Sequence, residues 1–166
     1  MRPSQLSHQL RQETDPDLRR RRWVVGLSFV GAAAAEIVAL YQMGIVKRLP
    51  SLPIRLFDAT KVDASDYAYS RARTPDGFLM LATYAVTALL AGAGGRNRAE
   101  RMPWLPIALA AKTLYDSHTA LKLGREEWRD NEALCDYCQT ATIASLASAA
   151  LAMPEAVRAA RGLLGR

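Results

Sequence analysis

Residues 133–152 read ALCDYCQTATIASLASAALA, and the reading of this stretch decides the fold. Both cysteines of the chain, Cys135 and Cys138, stand at the head of a run of small and apolar residues. The run is about as long as one bilayer crossing, which takes ~20 helical residues. Three similar stretches precede it: Trp23 to Val46, Gly77 to Gly95 and Met102 to Leu123. Charged segments separate them. The pattern predicts an all-α chain, a membrane four-helix bundle over residues 23–153, flanked by a basic N-terminal tail (1–22) and a C-terminal tail (154–166). A soluble or peripheral helical bundle competes with this reading. Glu36 interrupts the first stretch, Lys112, Asp116 and His118 crowd the third, and much of the apolar content is Ala, which drives insertion less than Leu or Ile.

With 166 residues, half of them apolar, the chain can bury one core. Two cysteines are too few for a disulfide-stapled scaffold. A lone CxxC would leave two zinc positions to His or carboxylates, and the histidines, His8 and His118, lie in separate segments, so no metal is expected. A net charge of +6 would suit nucleic acid, but its distribution follows the loops. With the N-terminus inside, the inner segments Met1–Arg22, Arg96–Arg101 and Glu155–Arg166 carry six, three and three Lys/Arg against three, one and one acids. The outer segments Lys47–Asp76 and Lys122–Asp136 carry six and three against four and five. Basic residues of short loops hold to the cytoplasmic side. The expected location is therefore the inner (plasma) membrane, multi-pass, with both termini cytoplasmic and the lipid bilayer as first partner. Arg19–Arg22 reads as a cytoplasmic anchor; no aromatic or motif residues accompany it, and no nucleic acid is expected. A signal peptide would use the same run, with Trp23–Val30 as apolar region and Ala32–Ala35 as cleavage site. Continuation of the apolar pattern to Val46 predicts that the segment is retained.

This topology starts the fourth helix at the outer face, with Cys135 and Cys138 in its first turns. Unpaired N–H groups and the macrodipole there favour thiolate over thiol, the i, i+3 spacing lets the sulfurs bridge, and the outer compartment is oxidising. A redox pair is the functional reading. Two buried packing thiols are the plain one.

ALCDYCQTATIASLA resembles the last helix of the vitamin K epoxide reductase family, and Ala59 to Ala68, ATKVDASDYA, followed by Thr74-Pro75, is similar to that family's loop after its first helix. The resemblance spans about Leu40 to Met153 and implies a four-helix bundle around a quinone of the menaquinone or ubiquinone class. It further implies that the Cys135–Cys138 dithiol reduces the quinone and becomes a disulfide, with Cys138 facing the quinone and Cys135 taking electrons from a thioredoxin-fold dithiol protein on the outer face. Family positions for groups bonding the quinone oxygens fall near Thr142, one turn after Cys138, and near Thr83 and Tyr84. Ser65 and Tyr67 of the loop block would cap the pocket. The chain departs from the pattern at Ala59, where the family has a shuttle cysteine, and it carries no cysteine outside the CxxC. It is thus read as a divergent bacterial-type member lacking the loop cysteine pair. The alternative is a redox-inactive descendant that serves as a structural or lipid- and partner-binding bundle.

Other polar residues have structural readings. Glu36 and Lys112 are expected to pair across the first and third helices, with a proton path as the functional alternative. Asp63, Ser65 and Asp66 suit caps or turns, and Thr140, Ser145 and Ser148 suit close helix approach.

Overall fold

A computed structural model describes residues 2–71 and 73–165; Met1 and Arg166, at the tips of the two expected tails, and Ala72 of the loop before the second stretch lie outside the described residues. Among the described residues the chain is all-α: α1 (Pro3–Gln12), α2 (Pro16–Gln42), α3 (Ala59–Asp63), a 3-10 turn (Asp66–Tyr69), α4 (Asp76–Gly92), α5 (Arg98–Arg101), α6 (Trp104–Asn131) and α7 (Asp136–Leu164). The four long helices pack in a ring, α2 on α4 and α7, and α6 on α7 and α4. The short α3 sits on α2 and α6, and α5 on α6 and α7.

Each long helix coincides with one of the apolar stretches: α2 starts before its stretch, α6 and α7 run past theirs, and α4 stops short of Gly95. Asp15 caps α2 by accepting from the Asp17 and Leu18 amides, with Pro16 in the first turn, so this helix begins inside the expected N-terminal tail. α6 continues past Leu123 to Asn131, where Glu132 turns the chain with a left-handed φ of 51°. α7 passes through Pro154 and runs to Leu164.

Small residues face inward. Gly31, Ala34, Ala35 and Ala39 of α2 and Ala141, Ala144, Ser145, Ser148 and Ala149 of α7 are buried, while Phe29, Ile37, Leu89, Leu114, Ile143 and Leu146 point outward, Leu89 with 72 % of its surface exposed. Small residues inside let backbones approach; large apolar ones outside suit an apolar solvent better than water. Gly31 shows how close the approach is. A Cβ there would fall 2.5 Å from the Tyr84 ring edge, so the α2–α4 contact requires glycine. Among the described residues two helices, α2 and α7, are long and apolar enough to cross a membrane; α4, at 17 residues, is apolar but shorter.

The basic run before Trp23 is partly folded into the protein. Arg21 is buried and donates to the carbonyls of Ala91, Gly92, Ala93, Gly94 and Gly95, satisfying the end of α4, and Arg22 donates to the Leu10 and Glu13 carbonyls. At the same end Arg98 and Glu155 form a buried two-pronged pair, both contacts 2.8 Å. The expected Glu36–Lys112 pair is not formed. Glu36 is exposed on α2, and Lys112 instead pairs with Asp116 one turn along its own helix and donates to the Thr83 carbonyl and Thr87 hydroxyl of α4. An i, i+4 partner on the same helix needs no second helix to bring it into reach.

Candidate functional site

The cysteine pair is built by two segments that meet far apart in sequence. Leu56 and Asp58 exchange backbone hydrogen bonds with Leu134, a parallel bridge that fastens the start of α3 to the start of α7. Asp58 then caps α3 by accepting from the Lys61 amide, the Lys61 ammonium donates to the Asn131 carbonyl, and the Leu52 amide donates to Asp136. This lid buries Cys135 at 0 % exposure in a cluster with Val38, Leu49, Ala59, Val62 and Ala133.

Cys135 is the N-cap of α7, its sulfur accepting the Cys138 amide at 3.3 Å. Both cysteines are free thiols, and Cys138 is half-buried. Cys135 stands at the helix start as expected, but the lid covers it and closes it to solvent. Ala59, standing where the resemblance calls for a cysteine, packs in the same cluster.

Two buried carboxyls accompany the thiols, and the sequence reading assigns neither of them to the site. Asp63, 1 % exposed at the end of α3, has its oxygen within 4.8 Å of both sulfurs, and its Oδ2 has no hydrogen-bond partner. Burial pushes it up to about 7, with the Cys135 thiol opposing and Asp76 and Asp136 adding to the rise. Glu127, also 1 % exposed, accepts the Cys135 amide and the Gln139 side chain, each at 3.0 Å. Burial lifts it to about 8. For Cys135 the Cys138 contact works to lower the thiol, but burial and Asp63 outweigh it and hold it up at about 11, so the helix start alone does not make a thiolate. Asp63, Cys135 and Cys138 are also types that ligate metals; three such groups fall one short of a closed tetrahedral zinc site.

Cys138 opens onto a cavity of about 200 Å³ between α4, α6 and α7, walled chiefly by apolar atoms. Of the residues expected near a ligand, Tyr67, Thr83, Tyr84 and Thr142 line it, with Cys138, Gln139 and Glu127 beside them. Ser65 does not; its hydroxyl donates to the Val62 carbonyl as a turn residue. Several of the hydroxyl donors are already engaged. Thr142 donates to the Cys138 carbonyl, Tyr67 to the Leu123 carbonyl at 2.9 Å, and Tyr84 to the Ala141 carbonyl with Ser145 alongside. Ser145 thus serves a hydrogen bond between α4 and α7 as well as close packing.

The arrangement can do two-electron thiol chemistry. The half-buried Cys138 lines an apolar cavity, its partner Cys135 lies one turn away, the Asp63 carboxyl stands within 4.8 Å of both sulfurs, and Glu127 holds the Cys135 amide. No curated protein and no solved structure matches the chain. Residues 22–153 match the vitamin K epoxide reductase family, from the start of the first apolar stretch to the end of the last. That match covers most of the sequence and both motif blocks, and the chain belongs to the vitamin K epoxide reductase family.

Proposed function

We propose that this protein is a membrane thiol-disulfide oxidoreductase in which the Cys135–Cys138 dithiol reduces a quinone of the menaquinone or ubiquinone class held in the α4–α6–α7 cavity. Family membership and the two long apolar helices support a membrane protein of oxidoreductase type. The observation that carries the finer reading is Cys138, whose sulfur-bearing side chain lines the apolar cavity while Cys135 stands behind it in the lid. Cys138 adds to or reduces the ring, Cys135 closes the disulfide, and the quinone leaves as hydroquinone with both electrons and two protons. Glu127, protonated up to about pH 8 at the cavity wall, is a carboxyl able to donate to a quinone oxygen. The apolar walls exclude water from the ring.

The same reading places the four apolar stretches, Trp23–Val46, Gly77–Gly95, Met102–Leu123 and Ala133–Met153, in the inner membrane with both termini cytoplasmic. It follows the loop charges and the outward-facing Phe29, Leu89, Leu114 and Ile143. With Ala59 in place of a shuttle cysteine, a thioredoxin-fold partner has to reach Cys135 by displacing the α3 lid. The test is to reduce the full chain in detergent, remove the reductant and add a soluble naphthoquinone. Hydroquinone should appear in equal amount to the disulfide formed, Cys138→Ser should abolish it, and Thr142→Ala should slow it modestly. Thiols that stay reduced in excess quinone would favour the redox-inactive descendant, for which the buried Cys135 and absent shuttle cysteine already speak.

A further inference from the structure

Asp63 is a buried acid with no structural duty of its own. It is the last residue of α3, its Oδ2 makes no hydrogen bond, and it is 1 % exposed. An unpartnered carboxyl oxygen in such a place is costly, and α3 would close over an Ala or Leu there more stably. What faces it is the pair of sulfurs, all within 4.8 Å. The Leu56–Asp58 bridge to Leu134 and the Lys61 contact to Asn131 hold α3 in that register. The other ionisable groups that bear on it are Asp136 and Tyr137 of α7, Glu127 of α6, Asp76 at the start of α4 and Tyr69 of the 3-10 turn.

We propose that Asp63 is a catalytic residue, the base that takes the proton from the Cys135 thiol when Cys135 closes the disulfide. The inference rests on the reading that the pair cycles, and it adds the group through which one proton leaves. The need follows from burial: Cys135 is sealed from water by the lid, so its proton has no solvent acceptor. In the closing step the Cys135 S–H bond breaks and its proton moves to an Asp63 oxygen. The freed sulfur electron pair forms the bond to Cys138 Sγ. The bond from Cys138 Sγ to the acceptor breaks, and its electron pair leaves with the acceptor, as hydroquinone anion or as the thiolate of an external disulfide. The dithiol is oxidised by two electrons and the acceptor reduced by two. A carboxyl held near 7 is ionised often enough to accept and protonated often enough to release in turn.

Dipyridyl disulfide isolates this step, because the reduced full chain releases one pyridine thione when Cys138 attacks the reagent and a second when Cys135 attacks the resulting Cys138 mixed disulfide. In the wild type the second phase should speed up with pH through an inflexion near 7. Asp63→Asn should slow the second phase relative to the first by about ten- to a hundredfold and erase that inflexion. Asp63→Glu, which keeps a carboxyl, should keep an inflexion. A second phase in Asp63→Asn with wild-type rate and profile would overturn the assignment. So would an inflexion that moves with Glu127→Gln and not with Asp63→Asn. Should Asp63→Asn not fold, the wild type and Asp63→Glu decide: no inflexion near 7 in the first, or an unshifted one in the second, rejects the role. Naphthoquinone in place of the disulfide separates the two claims. Inert quinone with an intact Asp63-dependent second phase removes the quinone reading and leaves the base; absence of any second thione from the wild type removes both.

Discussion

Replacing Glu127 by Gln should make the protein more stable at alkaline pH and change little in acid. The carboxyl is 1 % exposed on α6, beyond the apolar stretch that ends at Leu123, and its burial raises it from an ordinary 4.5 to about 8. The unfolded chain releases this proton near 4.5 and the folded chain only near 8. Between those values the folded state binds more protons, so its stability is whole below about 4.5 and is lost as pH rises through about 8. At about 1.4 kcal/mol per pH unit, the window from 4.5 to about 8 amounts to about 5 kcal/mol. Gln is neutral throughout. Its carbonyl can still accept the Cys135 amide, and Gln139 can turn its own amide to meet the new NH2, so both contacts persist. Asp63 contributes a parallel loss through about 7, so the single variant should flatten about half of the slope, and Asp63→Asn with Glu127→Gln most of it. Denaturation of the full chain in detergent micelles at about pH 5 and about pH 9 reads the difference directly. Wild type and Glu127→Gln losing stability in parallel across that range would refute the reasoning, because the carboxyl would then not be buried as described.

Three further outcomes follow from other contacts. Glu155→Ala should cost about 3–5 kcal/mol, since it strands the buried Arg98 guanidinium, whereas Arg98→Met with Glu155→Leu should recover much of the loss in the same denaturation assay. Gly31→Ala should separate α2 from α4 or expel the Tyr84 ring, seen as a loss of thermal stability of several degrees that Tyr84→Ala partly relieves. Ala59→Cys should place a third sulfur in the cluster holding Cys135, and mass spectrometry of the oxidised chain should find a 59–135 disulfide.

The helices were legible because apolar length and loop charge are properties of contiguous sequence. Their ends were less so: Asp15-Pro16 is a helix start written in the sequence, yet it lies in a stretch whose charge reads as tail, and Pro154 reads as a stop where α7 simply continues. Cys138 and Thr142 share a face one turn apart, so their common wall follows from helical spacing. Asp63 and Glu127 could not be found that way. Each stands among other acids that are exposed, Asp66 beside one and Asp130 beside the other, and only the bridge from Leu56–Asp58 to Leu134 decides which are sealed in. That bridge joins residues almost half the chain apart, and no local pattern encodes it. The Lys112–Asp116 pair, by contrast, carries an i, i+4 signature that outweighs an interhelical partner on distance alone.

The central claim is that Cys135 and Cys138 exchange electrons with quinone in the membrane. The measurement that tests it most directly is the thiol state of the pair in isolated membranes, read by the mass added on alkylation, before and after quinone is extracted and then restored. The account predicts a disulfide while quinone is present, two alkylatable thiols after extraction and reduction, and return of the disulfide when quinone is added back. Thiols that remain alkylatable in every condition would contradict it.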